Sequence, residues 1–123
     1  MRRAAVLQWI GLLVAPLTWI AQHAIGQGIS QVSCSEANTT WGVSNTEWQI
    51  ALLVVAGLLI LLSEGAAIAA YRATRTQGGY DSPPPLGRIQ LISSASMCTN
   101  VLFLVIVLLD GVASIVDIAC RQS

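Results

Sequence analysis

Three stretches of this chain, about 4–29, 48–71 and 89–110, stay apolar for longer than any ordinary strand. A bilayer span takes about 20 mostly apolar residues, so each stretch is long enough to cross one. In hydrocarbon the backbone must satisfy its own hydrogen bonds, and a helix does so within one segment. The expectation is an all-α fold, a single membrane domain over residues 1–123 with three transmembrane helices. An outer loop of about 30–47 and a cytoplasmic loop of about 72–88 connect them. Charge agrees. The chain of 123 residues is 54% hydrophobic and 10% charged, with no lysine. A soluble domain carries about a quarter charged residues. The formal net charge is zero, and nucleic-acid binding needs clustered Lys and Arg, so that role is set aside.

The opening Met1-Arg2-Arg3 and the apolar run behind it share the layout of a secretory leader. Gln8, Trp9, Pro16, Trp19 and Gln22 are unusual in such a segment, and "IAQHAIGQG" offers no convincing small-x-small cleavage site. A retained membrane helix is the expectation. Five of the six arginines (Arg2, Arg3, Arg72, Arg75 and Arg88) then share one side with the N-terminus, and Arg121 alone faces the other. Cytoplasmic loops retain an excess of basic residues, which puts the N-terminus in the cytoplasm and the C-terminus outside. Trp41 and Trp48 fall at or near the outer interface, where indoles settle. In the cytoplasmic loop Gly78-Gly79 breaks the second helix and Pro83-Pro84-Pro85 favours an extended polyproline stretch. The loop reads as a spacer, with docking of a cytoplasmic partner as the alternative.

The same topology tests the cysteines. Cys98 falls within the third span as a small packing residue. Cys34 and Cys120 both fall outside, where disulfides persist, so a Cys34–Cys120 bridge is expected. It would close a loop worth about 4–5 kcal/mol in the chain-entropy model. The alternatives are two free thiols or a metal pair, and only His23 lies near enough to help, which does not make a zinc site. Asn38-Thr39-Thr40 matches a glycosylation sequon that matters only in a eukaryotic source.

Polar residues recur inside the spans. Ser93, Ser96, Asn100, Phe103, Val107, Asp110, Ser114 and Asp117 fall on one face of the third helix. Gln8, Leu12, Ala15, Trp19, Gln22 and Gly26 form a comparable face on the first, and Gly57, Glu64 and Tyr71 on the second. Hydrocarbon offers such groups no partners, so these faces should turn toward protein. Counted from the cytoplasmic ends, Ser96, Glu64 and Asn100 lie at roughly 10, 12 and 16 Å, close enough in depth for Glu64 to bond Ser96 or Asn100. Gln22 and His23 lie near the level of Asp110, a second candidate contact. Gly65/Ala69 and Ala66/Ala70 are small-xxx-small pairs that permit close helix approach. Pro16 should bend or locally open the first helix.

Glu64 has several readings. An intramembrane carboxylate can relay protons. It can instead hold helices together as a neutral acid, or meet an arginine or amide of a neighbouring subunit. Packing or subunit contact is the preferred reading, because a relay needs several titratable groups in line. A lone His23 can supply one haem ligand but has no His or Met at a matching depth, and interface packing is preferred for it too. No phosphate loop, nucleophile triad or dinucleotide fingerprint appears. The serines of "LISSASMC" have no base nearby, so the chain reads as non-enzymatic and as binding no metal or cofactor alone.

"GLLVAPLTWIAQHAIGQGISQVSC", a Trp-led second span and "NVLFLVIVLLDGVASIVDIAC" together resemble small three-helix membrane proteins associated with bacterial haem-copper cytochrome c oxidases. The shared features are Pro16-Leu17 with Trp19, Gln22 before the outer loop, Cys34, Asn100 with Leu102-Phe103, and Cys120. They span most of the chain, though each is short, and the cytoplasmic loop adds none. The resemblance implies a non-catalytic accessory subunit or assembly partner of a respiratory complex in the bacterial inner membrane, with haem and copper carried by partner subunits and lipid around it. A small homo-oligomeric transporter or channel using Glu64, or a transient assembly factor, are the alternative functions.

Overall fold

The computed structural model describes residues 2–33 and 45–116. Cys34, Cys120, Asp117, Trp41, the sequon and Arg121 lie outside the described residues. Within them the chain is helical: α1 (Arg2–Ser33), α2 (Asn45–Arg75) and α3 (Leu86–Val116), with a 3-10 turn at Gly79–Asp81 between the last two. Each of the three long helices is long and apolar enough to cross a membrane. At 1.5 Å per residue they measure about 45 Å, longer than the roughly 30 Å hydrocarbon layer of a bilayer. They outrun the apolar stretches at both ends because polar residues there keep the helical bonding. Glu47 sits in the first turn of α2 and Arg72 and Arg75 in its last, which suits the helix dipole at each end.

α1 runs unbroken through Pro16. After Arg75 the chain turns at Gly78 and Gly79, whose φ values of 127° and 72° favour residues without a Cβ. Pro83–Pro85 do not form the expected polyproline stretch. They make a turn, in which Leu86 N–H donates to the Pro83 carbonyl at 3.3 Å, and Ile89 N–H donates to the Pro85 carbonyl at 3.0 Å. A fixed φ and a missing N–H cost little where a helix begins, so the proline run starts α3 instead of spacing it away.

Contacts at several levels make neighbouring helices antiparallel. On α1 and α2, Gly11 meets Ala67 and Gly26 meets Gln49, while Gly111 of α3 packs on Leu53 of α2. Arg2, Arg3, Arg72, Arg75 and Arg88 therefore gather at one end of the bundle. The buried residues follow a common rhythm. On α1 they are Ala4, Gln8, Gly11, Ala15, Thr18, Gln22 and Gly26. Steps of three and four keep these residues on one stripe of the helix. α3 repeats it with Ile89, Ser93, Ser96, Asn100, Val107 and Gly111. What differs from a soluble helix bundle is the content. The seam is small and polar, while Leu62 and Leu109 stand 70% and 67% exposed on the outside. Water would reject that outer surface, and lipid accepts it. Helices in lipid gain no hydrophobic drive toward each other, so association rests on close packing and interhelical bonds, which small residues permit.

α2 corrects the expectation. Its buried stripe is Gln49, Ala56, Ile60, Ser63, Ala67, Ala70 and Thr74. Gly57, Glu64 and Tyr71 lie one position further round, on the flank of the stripe. Gly65 and Ala69 face outward. The close approach is made instead by Gly11, where an added Cβ would lie 2.9 Å from the Ala67 Cβ. An added Cβ at Gly65 meets nothing within 4 Å. We expect Gly11→Leu to lower stability by about 1–3 kcal/mol through overpacking. Gly65→Leu should shift it by less than about 0.5 kcal/mol. Reversible unfolding in mixed micelles measures both.

Candidate functional site

The seam divides into three zones along its length. At mid-height Ala15, Ala56, Ile60 and Val107 form an apolar core, with Trp19, Leu53, Phe103 and Leu104 packed round it. Ile60 is 1% exposed and Val107 fully covered, so apolar side chains plug most of the seam at this height, with Thr18 the buried polar residue beside them. Polar groups occupy the seam on either side of it.

Toward the far end, away from the arginines, most polar groups find partners. Gln49 is buried, and its Nε2 donates to the Gly26 carbonyl at 3.0 Å and to Ser30 Oγ at 3.3 Å. Asn45 Nδ2 donates to the Ser114 carbonyl at 3.5 Å, so two neighbouring amides of α2 reach α1 and α3. Gly26 is needed for this, since an added Cβ there would stand 3.2 Å from Gln49 Oε1. The structure also brings His23 and Asp110 together, with Nδ1 and Oδ2 3.3 Å apart. A carboxylate only accepts, so Nδ1 carries the hydrogen. Trp19 stacks on the His23 ring at a centroid distance of 6.1 Å and also touches Phe103. His23 is half-exposed, which fits a side chain anchoring the bundle surface. Gln22, beside it, turns into the seam, and its Oε1 is buried with no bonding partner among the described residues.

Toward the arginine end the polar groups are more numerous and less well matched. Ser63 Oγ donates to the Gly11 carbonyl at 3.1 Å, binding α2 to α1 one turn below Pro16. Thr74 Oγ1 donates back to the Ala70 carbonyl of its own helix. Ser96, expected to meet Glu64, instead donates to the Ile92 carbonyl at 2.8 Å. A serine within a helix reaches the carbonyl four residues back without crossing any gap, and that local bond wins. Glu64 makes no hydrogen bond to Ser96 or Asn100. Its Oε2 is buried and has no partner among the described residues, and the same holds for both amide atoms of Asn100, Ser93 Oγ and Gln90 Oε1. Asn100 is 1% exposed and Ser93 fully covered, so solvent does not reach these atoms directly.

Asn45, Gln49, Ser63, Thr74 and Gln90 escaped the reading of the sequence. Gln49, Ala56, Ser63 and Ala70 recur at intervals of seven, and that spacing of non-bulky residues through a Leu-rich run was the available signal. Among the described residues no group of three or more His, Cys, Asp or Glu is placed to hold a metal ion.

No protein-family model matches this chain, and no curated protein and no solved structure matches it. The resemblance to oxidase-associated proteins therefore stands on its short motifs alone.

We expect Gln49→Leu to cost about 1–3 kcal/mol, because the variant removes bonds that join α1 to α2 inside the seam. Gln27→Leu, on the exposed side of α1, should leave stability unchanged. Urea-dependent unfolding in micelles distinguishes the two.

Proposed function

We propose that this chain is a non-catalytic subunit of a larger membrane complex, working through helix–helix contact. The observation that carries the reading is the plug. Ala15, Ala56, Ile60 and Val107 close the seam at mid-height, so a single copy offers no polar route from end to end. What remains for function is the outer surface, which is broad and apolar. The arginine-rich end supports a cytoplasmic position for Arg2, Arg3, Arg72, Arg75 and Arg88, and hence an outward C-terminus. The motif resemblance makes the bacterial inner membrane the proposed location and a cytochrome oxidase the first complex to try, with haem and copper on its other subunits. In that setting Cys34 and Cys120 share the oxidising side, where a bridge between them would form.

A second reading is a homo-oligomeric transporter that uses Glu64. It is favoured by one observation only, the flank position of this carboxyl beside the outer face of α2. Any path would then run between copies and not through one. Gentle extraction of the tagged chain from its native membrane, followed by mass spectrometry of the intact assembly, separates the readings. We expect other membrane subunits at fixed stoichiometry. A homo-oligomer free of other chains would replace the subunit reading with the transporter. Partners present at varying, substoichiometric amounts would point to a transient assembly factor.

A further inference from the structure

The unpartnered groups near the arginine end are not scattered. Gly111 of α3 packs on Leu53 of α2, which fixes the register of these antiparallel helices. Glu64 lies eleven positions beyond Leu53 (64 − 53), and Asn100 lies eleven positions before Gly111 (111 − 100). Eleven residues make just over three whole turns, so Glu64 keeps the direction of Leu53 and Asn100 that of Gly111. The two side chains therefore occupy facing positions at one level of the α2–α3 seam. Ser93 follows on the same face of α3 about 10 Å nearer the arginine end, and Gln90 about 5 Å beyond that. At this end Gly79 of the 3-10 turn lies over Gln90, within 3.5 Å of its Oε1 if given a Cβ.

We propose that the α2–α3 seam holds bound water, one site bridging Glu64 and Asn100 and a second between Ser93 and Gln90. The pattern of unmatched atoms selects the ligand. Asn100 lacks a partner for its donor Nδ2 as well as for its acceptor Oδ1. A metal cation would satisfy the oxygen and repel the amide hydrogens. A direct bond from Nδ2 to Glu64 would still leave Oδ1 bare. Water both donates and accepts, and buried water settles where two to four polar groups converge that lack other partners. The basic side chains near this end do not compete, because Arg72, Arg75 and Arg88 are all exposed. The plug of Ile60 and Val107 lies between the water and the far end. Glu64 is thereby coupled to the arginine end of the bundle and insulated from the other.

Water-edited solid-state NMR of the full chain in phosphatidylcholine liposomes tests this. Magnetisation from water should reach the Asn100 side-chain amide several-fold faster than the Ile60 and Val107 methyl groups, which serve as the dry reference in the same sample. The Asn100 signal is identified by its loss in Asn100→Leu, or by sequential assignment if that variant does not fold. An Asn100 amide as slow as those methyls means a dry seam and overturns the proposal.

Discussion

α1 and α2 approach so closely at Gly11 that a side chain there would collide with Ala67, and most of the bundle follows from that approach. A bilayer removes the force that ordinarily gathers apolar side chains, since lipid tails are as apolar as leucine. What can still hold helices together is contact between backbones and bonds between polar groups, and both require small residues along the seam. Gly11, Ala15, Ala56, Ser63, Ala67 and Ala70 meet that requirement, and the bulky residues are left to face outward. The Ser63 hydroxyl reaches the Gly11 carbonyl only because the helices are already this near.

The same geometry sets what the interior can do. At mid-height one large residue each from α2 and α3, Ile60 and Val107, fills the space left by two alanines and shuts the seam. On the far side the amides of Asn45 and Gln49 span the gaps between helices and are matched, while Gln22 Oε1 is left without a partner among the described residues. On the arginine side Asn100 and Ser93 are buried without partners among the described residues. In lipid each such group is costly, so their persistence there marks this half of the seam as the part whose chemistry the protein chain alone does not complete.

Much of this was legible in the sequence. The three helices show in the apolar lengths. The faces of α1 and α3 show because Gln8, Gln22, Ser93 and Asn100 are polar against an apolar background. α2 was harder. Its seam mixes three alanines and Ile60 with Gln49, Ser63 and Thr74, and alanine also faces outward at Ala69, so neither polarity nor size alone marks the inner face. Glu64, the one charge in the middle of that helix, drew the phase of the stripe one position aside. Register was the other missing quantity. Whether Ser96 bonds Glu64 or its own backbone depends on gaps of an ångström, which no spacing of residues along the chain reveals. His23 and Asp110 could be matched by depth because they lie level with each other, toward the end of the bundle away from the arginines.

The central claim is that the small and polar seam faces protein and the bulky face meets lipid. Nitroxide scanning of α2 from Ala56 to Ala70 in liposomes, on a background without Cys34, Cys98 and Cys120, tests it most directly. The account predicts that oxygen accessibility falls at 56, 60, 63, 67 and 70 and peaks at 58, 62, 65 and 69, with a water-soluble relaxation agent excluded throughout. Minima at Gly57, Glu64 and Gly65, or entry of the water-soluble agent along the outer face, would contradict it.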